Sequence, residues 1–459
     1  MLVCGRRKWR TIIIFLVIIS ALCIFPLYSG ILHEESTDSH IAKQNEVFVD
    51  VPSITSPDIG RHFNPKLLAG LMADIKSNKS NNVINHQKVL MKQDVDRDVV
   101  NYNVHAFYYA WYGNPGQDGE YFHWNHEYLP HWEKKISDKY PTGQAHIPPD
   151  DIGSSYYPLL GPYSSSDETV TRSHMIQMQQ AGIGVLALSW YPPGLADDHG
   201  KPIEHYIPTL FDIADQYNIK VCFHIEPYKD RSPESVKENL KYIIETYGDH
   251  PAFYRTSTSE GSRKLPLVYV YDSYLIPANQ WSKILKKRGE ISIRGSVFDA
   301  VVIGLLVEKK HIWELSSAGF DGFYTYFAAE KFSYGSTRRY WREIESFAIE
   351  NKMIFIPSIG PGYDDTSVRP WNNINSRKRN DGAYYETGWH KATTLSTVNI
   401  VSITSFNEWH EGTQIEPASP QSRHGKSVYL TYEPRDPDYY LKLTKKWSMK
   451  MLNASRDVT

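Results

Sequence analysis

Two carboxylates three residues apart, Glu408 and Glu411, stand in the run Ser405-Phe406-Asn407-Glu408-Trp409-His410-Glu411. The run closes the last of eight apolar, β-rich stretches. Paired carboxylates of this kind can divide acid–base work at an acetal carbon. One must keep its proton to protonate a departing oxygen, and the other must stay ionised to act as base or nucleophile. At i, i+3 each negative charge raises the proton affinity of the other. Their closeness poses a problem, because a retaining pair normally approaches a sugar from opposite sides, about 5 Å apart. Either a third carboxylate such as Glu226 completes the pair, or no protein group attacks the anomeric carbon.

The elements that must position these groups are legible as alternation. The β-rich runs are Val104–Trp111, Gly184–Trp190, Lys220–Glu226, Leu265–Tyr271, Ala300–Leu306, Gly322–Phe327, Met353–Ser358 and Ile400–Ser405. Between them lie segments of helical spacing, among them Glu168–Ala181, Pro208–Tyr217, Ser232–Tyr247, Arg338–Asn351 and Tyr385–Val398, with Asp436–Leu452 at the end. Strand–helix alternation repeated eight times predicts an α/β fold, a (β/α)8 TIM barrel. A doubly wound open sheet is the rival, disfavoured because no Gly-rich phosphate loop follows the first strand. In a barrel the chemistry gathers where strands end. Those ends carry aromatics beside polar groups: Tyr109 and Trp111, Tyr191, His224 and Glu226, Asp272, Tyr324, then Asn407, Glu408 and Trp409. Asp272, Asn407 and Trp409 are thereby expected to bind substrate alongside the two acids.

Composition narrows the partners. The chain has 459 residues, 41% of them hydrophobic, with a formal charge of −2 and no basic block outside the extreme N-terminus. That argues against nucleic acid. The 32 Tyr and 12 Trp offer flat apolar faces with polar edges, which suit sugar rings. Of three cysteines, Cys4 and Cys23 fall in the N-terminal apolar region, so Cys222 has no partner in the folded part and reads as packing. His123, His126 and His131 match no zinc spacing, Asp364 and Asp365 read as solvated loop acids or caps, and no Gly-x-Ser-x-Gly elbow is present. No metal and no cofactor are expected.

The N-terminus reads as an address. Arg6, Arg7, Lys8 and Arg10 precede an apolar run from Ile12 to Tyr28. This predicts a cytoplasmic tail (1–10), a transmembrane signal anchor (11–29), a lumenal stem (30–100) and a catalytic domain (101–459), in single-pass type II orientation. A cleaved signal peptide is the alternative. Asn78 and Asn453 head glycosylation sequons.

The strings Phe107-Tyr108-Tyr109-Ala110-Trp111-Tyr112-Gly113-Asn114-Pro115, His224-Ile225-Glu226-Pro227-Tyr228, Arg369-Pro370-Trp371-Asn372 and Ser405 through Glu416 resemble glycoside hydrolase family 99, the endo-α-1,2-mannosidases. The resemblance spans about residues 100–450. It implies a metal-independent, retaining hydrolase in the Golgi membrane, with its catalytic domain lumenal. The implied reaction cuts glucosylated high-mannose N-glycans at the α-1,2 bond and releases glucosyl-α-1,3-mannose or longer forms. It further implies that Glu408 is the base on the mannose 2-hydroxyl and Glu411 the acid, with a 1,2-anhydro sugar between the two steps. His224 and Glu226 would bind hydroxyls on the leaving-group side, Tyr109 and Tyr324 would line central subsites, and Tyr191 would meet the distal glucose. A glycan-binding homologue with little turnover, and a glycosyltransferase of the same type II topology, are the competing classes.

Overall fold

In a computed structural model of the chain, residues 99–258 and 263–456 are described. The expected tail, anchor and nearly all of the stem, with Asn78, lie outside the described residues. Among those described, no helix is long and apolar enough to cross a membrane.

Eight parallel strands form the centre: β1 Asn101–Tyr108, β2 Ile183–Trp190, β3 Lys220–Ile225, β4 Lys264–Val270, β5 Val301–Leu305, β6 Gly322–Tyr324, β7 Ile354–Ile356 resuming at Ser358–Ile359, and β8 Val401–Ile403. Each pairs with the next, and β1 pairs with β8. The first half of β7 bonds β6 and the second half bonds β8. Only Pro357, which has no N–H to give a ladder, interrupts it, and its carbonyl still accepts from Ser402 at 3.1 Å. The ring therefore closes, as the alternation of runs predicts. A short antiparallel strand, Arg255–Ser257, flanks β4.

The strands read as unbroken apolar runs because both faces are covered; every residue of β2 is buried. The outer covering is α1 Glu168–Gln180, α2 Ile207–Gln216, α3 Pro233–Tyr247, α4 Ala278–Leu285, α5 His311–Ala318, α6 Trp341–Glu350, α7 Ala383–Thr393 and α8 Tyr439–Arg456. Their starts carry local signals. Asp167 accepts from the Thr169 N–H at 2.8 Å. Ser232 and Ser235 bond reciprocally ahead of α3, with Pro233 in the first turn. Such caps contribute about 1 kcal/mol each.

Inside the ring, alternate residues of several strands meet on the axis. Phe107 contacts His224, Tyr269 and Tyr324 with ring centroids 4.7, 5.4 and 5.6 Å apart. Below them the His105 ring bonds the Tyr269 hydroxyl at 2.7 Å, and burial drives His105 down to about 3, so it is neutral. Cys222 is buried in β3, with its thiol pushed up by burial. This packed aromatic column is the floor on which the site stands.

Candidate active site

The chain leaves β8 and folds back on itself before joining the rest of the molecule. The Ser405 N–H donates to the Thr413 carbonyl at 2.9 Å, and the Ile415 N–H donates back to the Ser405 carbonyl at 3.0 Å. Within this closed loop the Ser405 hydroxyl accepts the Glu408 N–H at 2.7 Å. Glu408 is 4% exposed. Its Oε1 accepts the His410 N–H at 3.1 Å, while Oε2 is buried without a hydrogen-bond partner. Glu411 keeps part of its surface open, and its carbonyl accepts the Asp364 N–H at 2.8 Å, tying the loop to the end of β7.

Protonation follows from this placement. Burial, then the neighbouring Glu411 charge, raise Glu408 well above the usual carboxylate range. Glu411 is pushed up to about 7 by burial; Arg369 opposes this, and Asp365 and Glu226 add to it. Two carboxyls so placed hold one proton between them near neutrality. A hydroxyl donating to the orphaned Oε2 would favour ionised Glu408 and leave the proton on Glu411.

Facing the pair are groups from β3, β4 and β6. Glu226 accepts from the Ser189 hydroxyl at 2.8 Å, and His224 Nδ1 lies 3.1 Å from the same oxygen, Oε1. His224 Nε2 bonds the Tyr324 hydroxyl at 2.7 Å. Asp272, two residues past the end of β4, has a left-handed backbone, φ 48°, and is buried. Burial raises Asp272 to about 7 against the pull of Arg231. Arg231 itself donates to the carbonyls of Tyr271 and Asp272 at 2.6 and 2.7 Å. The hydroxyls of Tyr109 and Tyr326 bond each other, and the Tyr326 ring stacks on His224.

The residues expected from sequence thus separate into two groups. Glu408, Glu411, Glu226, Asp272, Tyr109 and Tyr191 retain some surface. The phenol of Tyr191 is raised by burial, then by Glu226, Asp197 and Asp198, which sets it beside the acids. His224 and Tyr324 are completely enclosed, and Tyr324 backs His224 rather than lining open space. Asn407 and Trp409 are also fully buried. The Asn407 amide is consumed by the Tyr109 backbone, accepting its N–H and donating to its carbonyl, both at 2.8 Å. The Trp409 indole donates to Glu416 at 3.0 Å and to the Tyr163 hydroxyl at 3.2 Å. These two position the loop and present nothing to a substrate.

One further expectation needs revision. Asp365 is no solvated loop acid. It is fully buried and accepts from Tyr363, from Asn372 and from Arg369, the last at 3.2 Å. It therefore anchors the arginine that offsets the charge of Glu411. Asp364 beside it is the local cap, accepting the Thr366 N–H at 3.1 Å and its hydroxyl at 2.6 Å. The three histidines diverge. His123 stacks on Trp111 at 4.4 Å, 3.2 Å from Asp197. His126 bonds the Glu127 carbonyl at 2.7 Å. His131 packs on Trp132 and Trp371. Among the described residues, no group of three His, Cys, Asp or Glu side chains is arranged to hold a metal ion. Sequence reading passed over Tyr326, Asp197, Arg231 and Arg369; the quoted Arg-Pro-Trp-Asn string was the available signal for the last.

The chain and its architecture have counterparts. The model of glycosyl hydrolase family 99 matches residues 99–453. The glycoprotein endo-alpha-1,2-mannosidase of Rattus norvegicus is 54% identical over 351 residues, covering 76% of this chain and 75% of the rat protein. A glycoprotein endo-alpha-1,2-mannosidase-like protein of Homo sapiens is 54% identical over 346 residues, 75% of each chain. Among solved structures, the GH99 endo-alpha-mannosidase of Bacteroides thetaiotaomicron superposes with a TM-score of 0.71 at 41% identity, covering 78% of this chain and 99% of the bacterial one.

Proposed function

Because this chain belongs to glycoside hydrolase family 99, we propose that it is an endo-acting, retaining α-mannosidase of high-mannose N-glycans, cutting the α-1,2 bond beside a glucose-capped mannose. The observation that carries the chemistry is the unpaired, buried Glu408 Oε2 next to a second carboxyl held near 7.

In an α-mannoside the 2-hydroxyl and the leaving oxygen lie on opposite faces of the ring. Glu408 takes the O2 proton as O2 bonds C1. The C1–oxygen bond to the remaining glycan breaks, and that oxygen receives the proton of Glu411. The product at this stage is a 1,2-anhydro sugar. Glu411, now ionised, accepts a proton from water as the water oxygen bonds C1. The C1–O2 bond opens, and O2 regains its proton from Glu408. Two inversions give retention, and no carboxylate need reach around the ring. Glu226 holds sugar hydroxyls on the leaving-group side, with the enclosed His224 behind it orienting its carboxylate, Asp272 and Tyr109 beside it, and Tyr191 against the glucose cap.

The remainder of the reading is topological: residues 11–29 anchor the chain in the Golgi membrane with the catalytic domain in the lumen. Carbonate extraction of the full chain tests it, since release into the supernatant contradicts an anchor. Mass spectrometry of products from a defined glucosylated high-mannose glycan tests the reaction. Release of glucosyl-mannose supports it. Binding with no disaccharide released would leave a lectin-like protein, and release of glucose alone would make it an exo-enzyme.

A further inference from the structure

The base does not stand on a self-sufficient loop. Tyr112, just past the end of β1, is 1% exposed. Its hydroxyl donates to the Asn407 carbonyl at 3.0 Å and accepts the Trp409 N–H at 3.1 Å. One phenol oxygen therefore bridges the peptide groups on either side of Glu408. The Tyr112 ring is itself fixed, stacked on Trp124 at 4.1 Å. Its backbone is tied to Ser165 by two bonds, the Ser165 N–H to the Tyr112 carbonyl at 2.8 Å and the Tyr112 N–H to Ser165 Oγ at 3.1 Å.

A second anchor grips the same tripeptide from behind. Glu416 is fully buried. It accepts from Tyr163 at 2.8 Å and from the Trp409 indole at 3.0 Å, and it lies 3.2 Å from His174 Nε2. His174 Nδ1 in turn bonds the Tyr108 hydroxyl at 2.9 Å. The Asn407 side chain donates to Tyr163 at 3.3 Å, closing the network. The backbone and flanking side chains of Asn407-Glu408-Trp409 are thus held to β1 and α1, while the Glu408 carboxylate keeps one oxygen unspent.

We infer that Tyr112 is a positioning residue for catalysis, its hydroxyl fixing the backbone around Glu408 so that the free carboxylate oxygen is aimed at the substrate, with Glu416 as the rear anchor. The inference rests on the reading of Glu408 as base. Deleting the hydroxyl unpairs a buried carbonyl and a buried N–H at once, and the loop must shift to rescue them. A displacement of the order of an ångström at a reacting group costs about 100-fold in rate.

The test uses the full chain and a glucosylated high-mannose glycan. Tyr112→Phe is compared with wild type, with Glu408→Gln, and with Tyr385→Phe. The last loses a comparable buried bond, 3.0 Å to Thr444, between α7 and α8. Expected for Tyr112→Phe are a kcat lower by ~10- to 100-fold, KM within about threefold, and an acid limb of the pH profile moved to lower pH as Glu408 meets water. Tyr385→Phe should keep wild-type kcat and profile despite a similar loss of Tm. A Tyr112→Phe kcat within threefold of wild type, or a loss matched by Tyr385→Phe, overturns the inference and leaves the base assignment standing. Near-normal turnover by Glu408→Gln overturns both. Should Tyr112→Phe fail to fold, Glu416→Gln, which turns one acceptor oxygen into a donor facing the same partners, decides by the same outcomes.

Discussion

A carboxyl kept near neutrality for use as an acid should make the resting protein less stable, and Glu411 allows that cost to be measured. Its proton affinity rises from an ordinary 4.5 to about 7, chiefly through burial. Because the folded value lies above the unfolded one, Glu411 favours the native state fully below about 4.5. That contribution is lost as pH climbs through about 7. At about 1.36 kcal/mol per pH unit, the full penalty of ionising it in place is ~3 kcal/mol. Glu411 retains some surface, so water screens part of this, and about 1–3 kcal/mol is expected. Glutamine at this position cannot ionise. Glu411→Gln should therefore be more stable than wild type by that amount at pH 8, with the gain shrinking to near zero at pH 4. Urea unfolding of both proteins across this range reads the difference directly. Equal stability at pH 8, or a less stable variant, would mean that Arg369 pairs the ionised carboxylate well enough to cancel its burial. The argument for a proton held on Glu411 would then fail.

Other substitutions probe the frame and the base. Glu408→Gln should still bind the glycan while kcat falls ~10²- to 10⁴-fold; isothermal titration beside turnover separates the two, and near-normal turnover refutes the base. Arg379 is buried under the rings of Tyr156, Tyr432 and Tyr440, at 4.6, 4.7 and 4.6 Å. It donates to the carbonyls of Gly412 and Gln414 at 2.9 and 2.8 Å. Arg379→Met should cost about 2–4 kcal/mol by removing the cation from the three rings and stranding the Gly412 carbonyl next to Glu411, while Gln414 keeps its bond from Tyr432, and a denaturation shift under 1 kcal/mol contradicts that. Chelators should leave turnover unchanged, since the two glutamates fill the acid and base roles; loss restored by a divalent metal would say otherwise.

The barrel was legible because its strands are buried on both faces and so read as continuous apolar runs. Their ends were less so. The first run extends by sequence to Trp111, but β1 ends at Tyr108, because Tyr109, Trp111 and Tyr112 are apolar for the sake of the site. The sixth run extends to Phe327, yet β6 stops at Tyr324 and Tyr326 turns left-handed at φ 47°, which swings its ring over His224. The acids were found because two glutamates beside an aromatic loop end are unusual. The roles of their neighbours were hidden because the partners are remote in the chain. Asn407 is satisfied by Tyr109, 298 residues away, so an amide that looks free in sequence is spent in the fold. Asp364 and Asp365 are indistinguishable as adjacent acids. Only the return of Asn372 and Arg369 across the loop makes one of them a buried anchor.

The central claim is that the substrate's own O2 displaces the leaving group. It is tested most directly with a glycan in which the mannose undergoing cleavage lacks its 2-hydroxyl. The account predicts that this compound occupies the site and is not cut, because Glu408 has no proton to remove and C1 no internal nucleophile. Turnover of the 2-deoxy substrate at a rate near that of the parent, with retention, would require a nucleophile from the protein and would contradict the account.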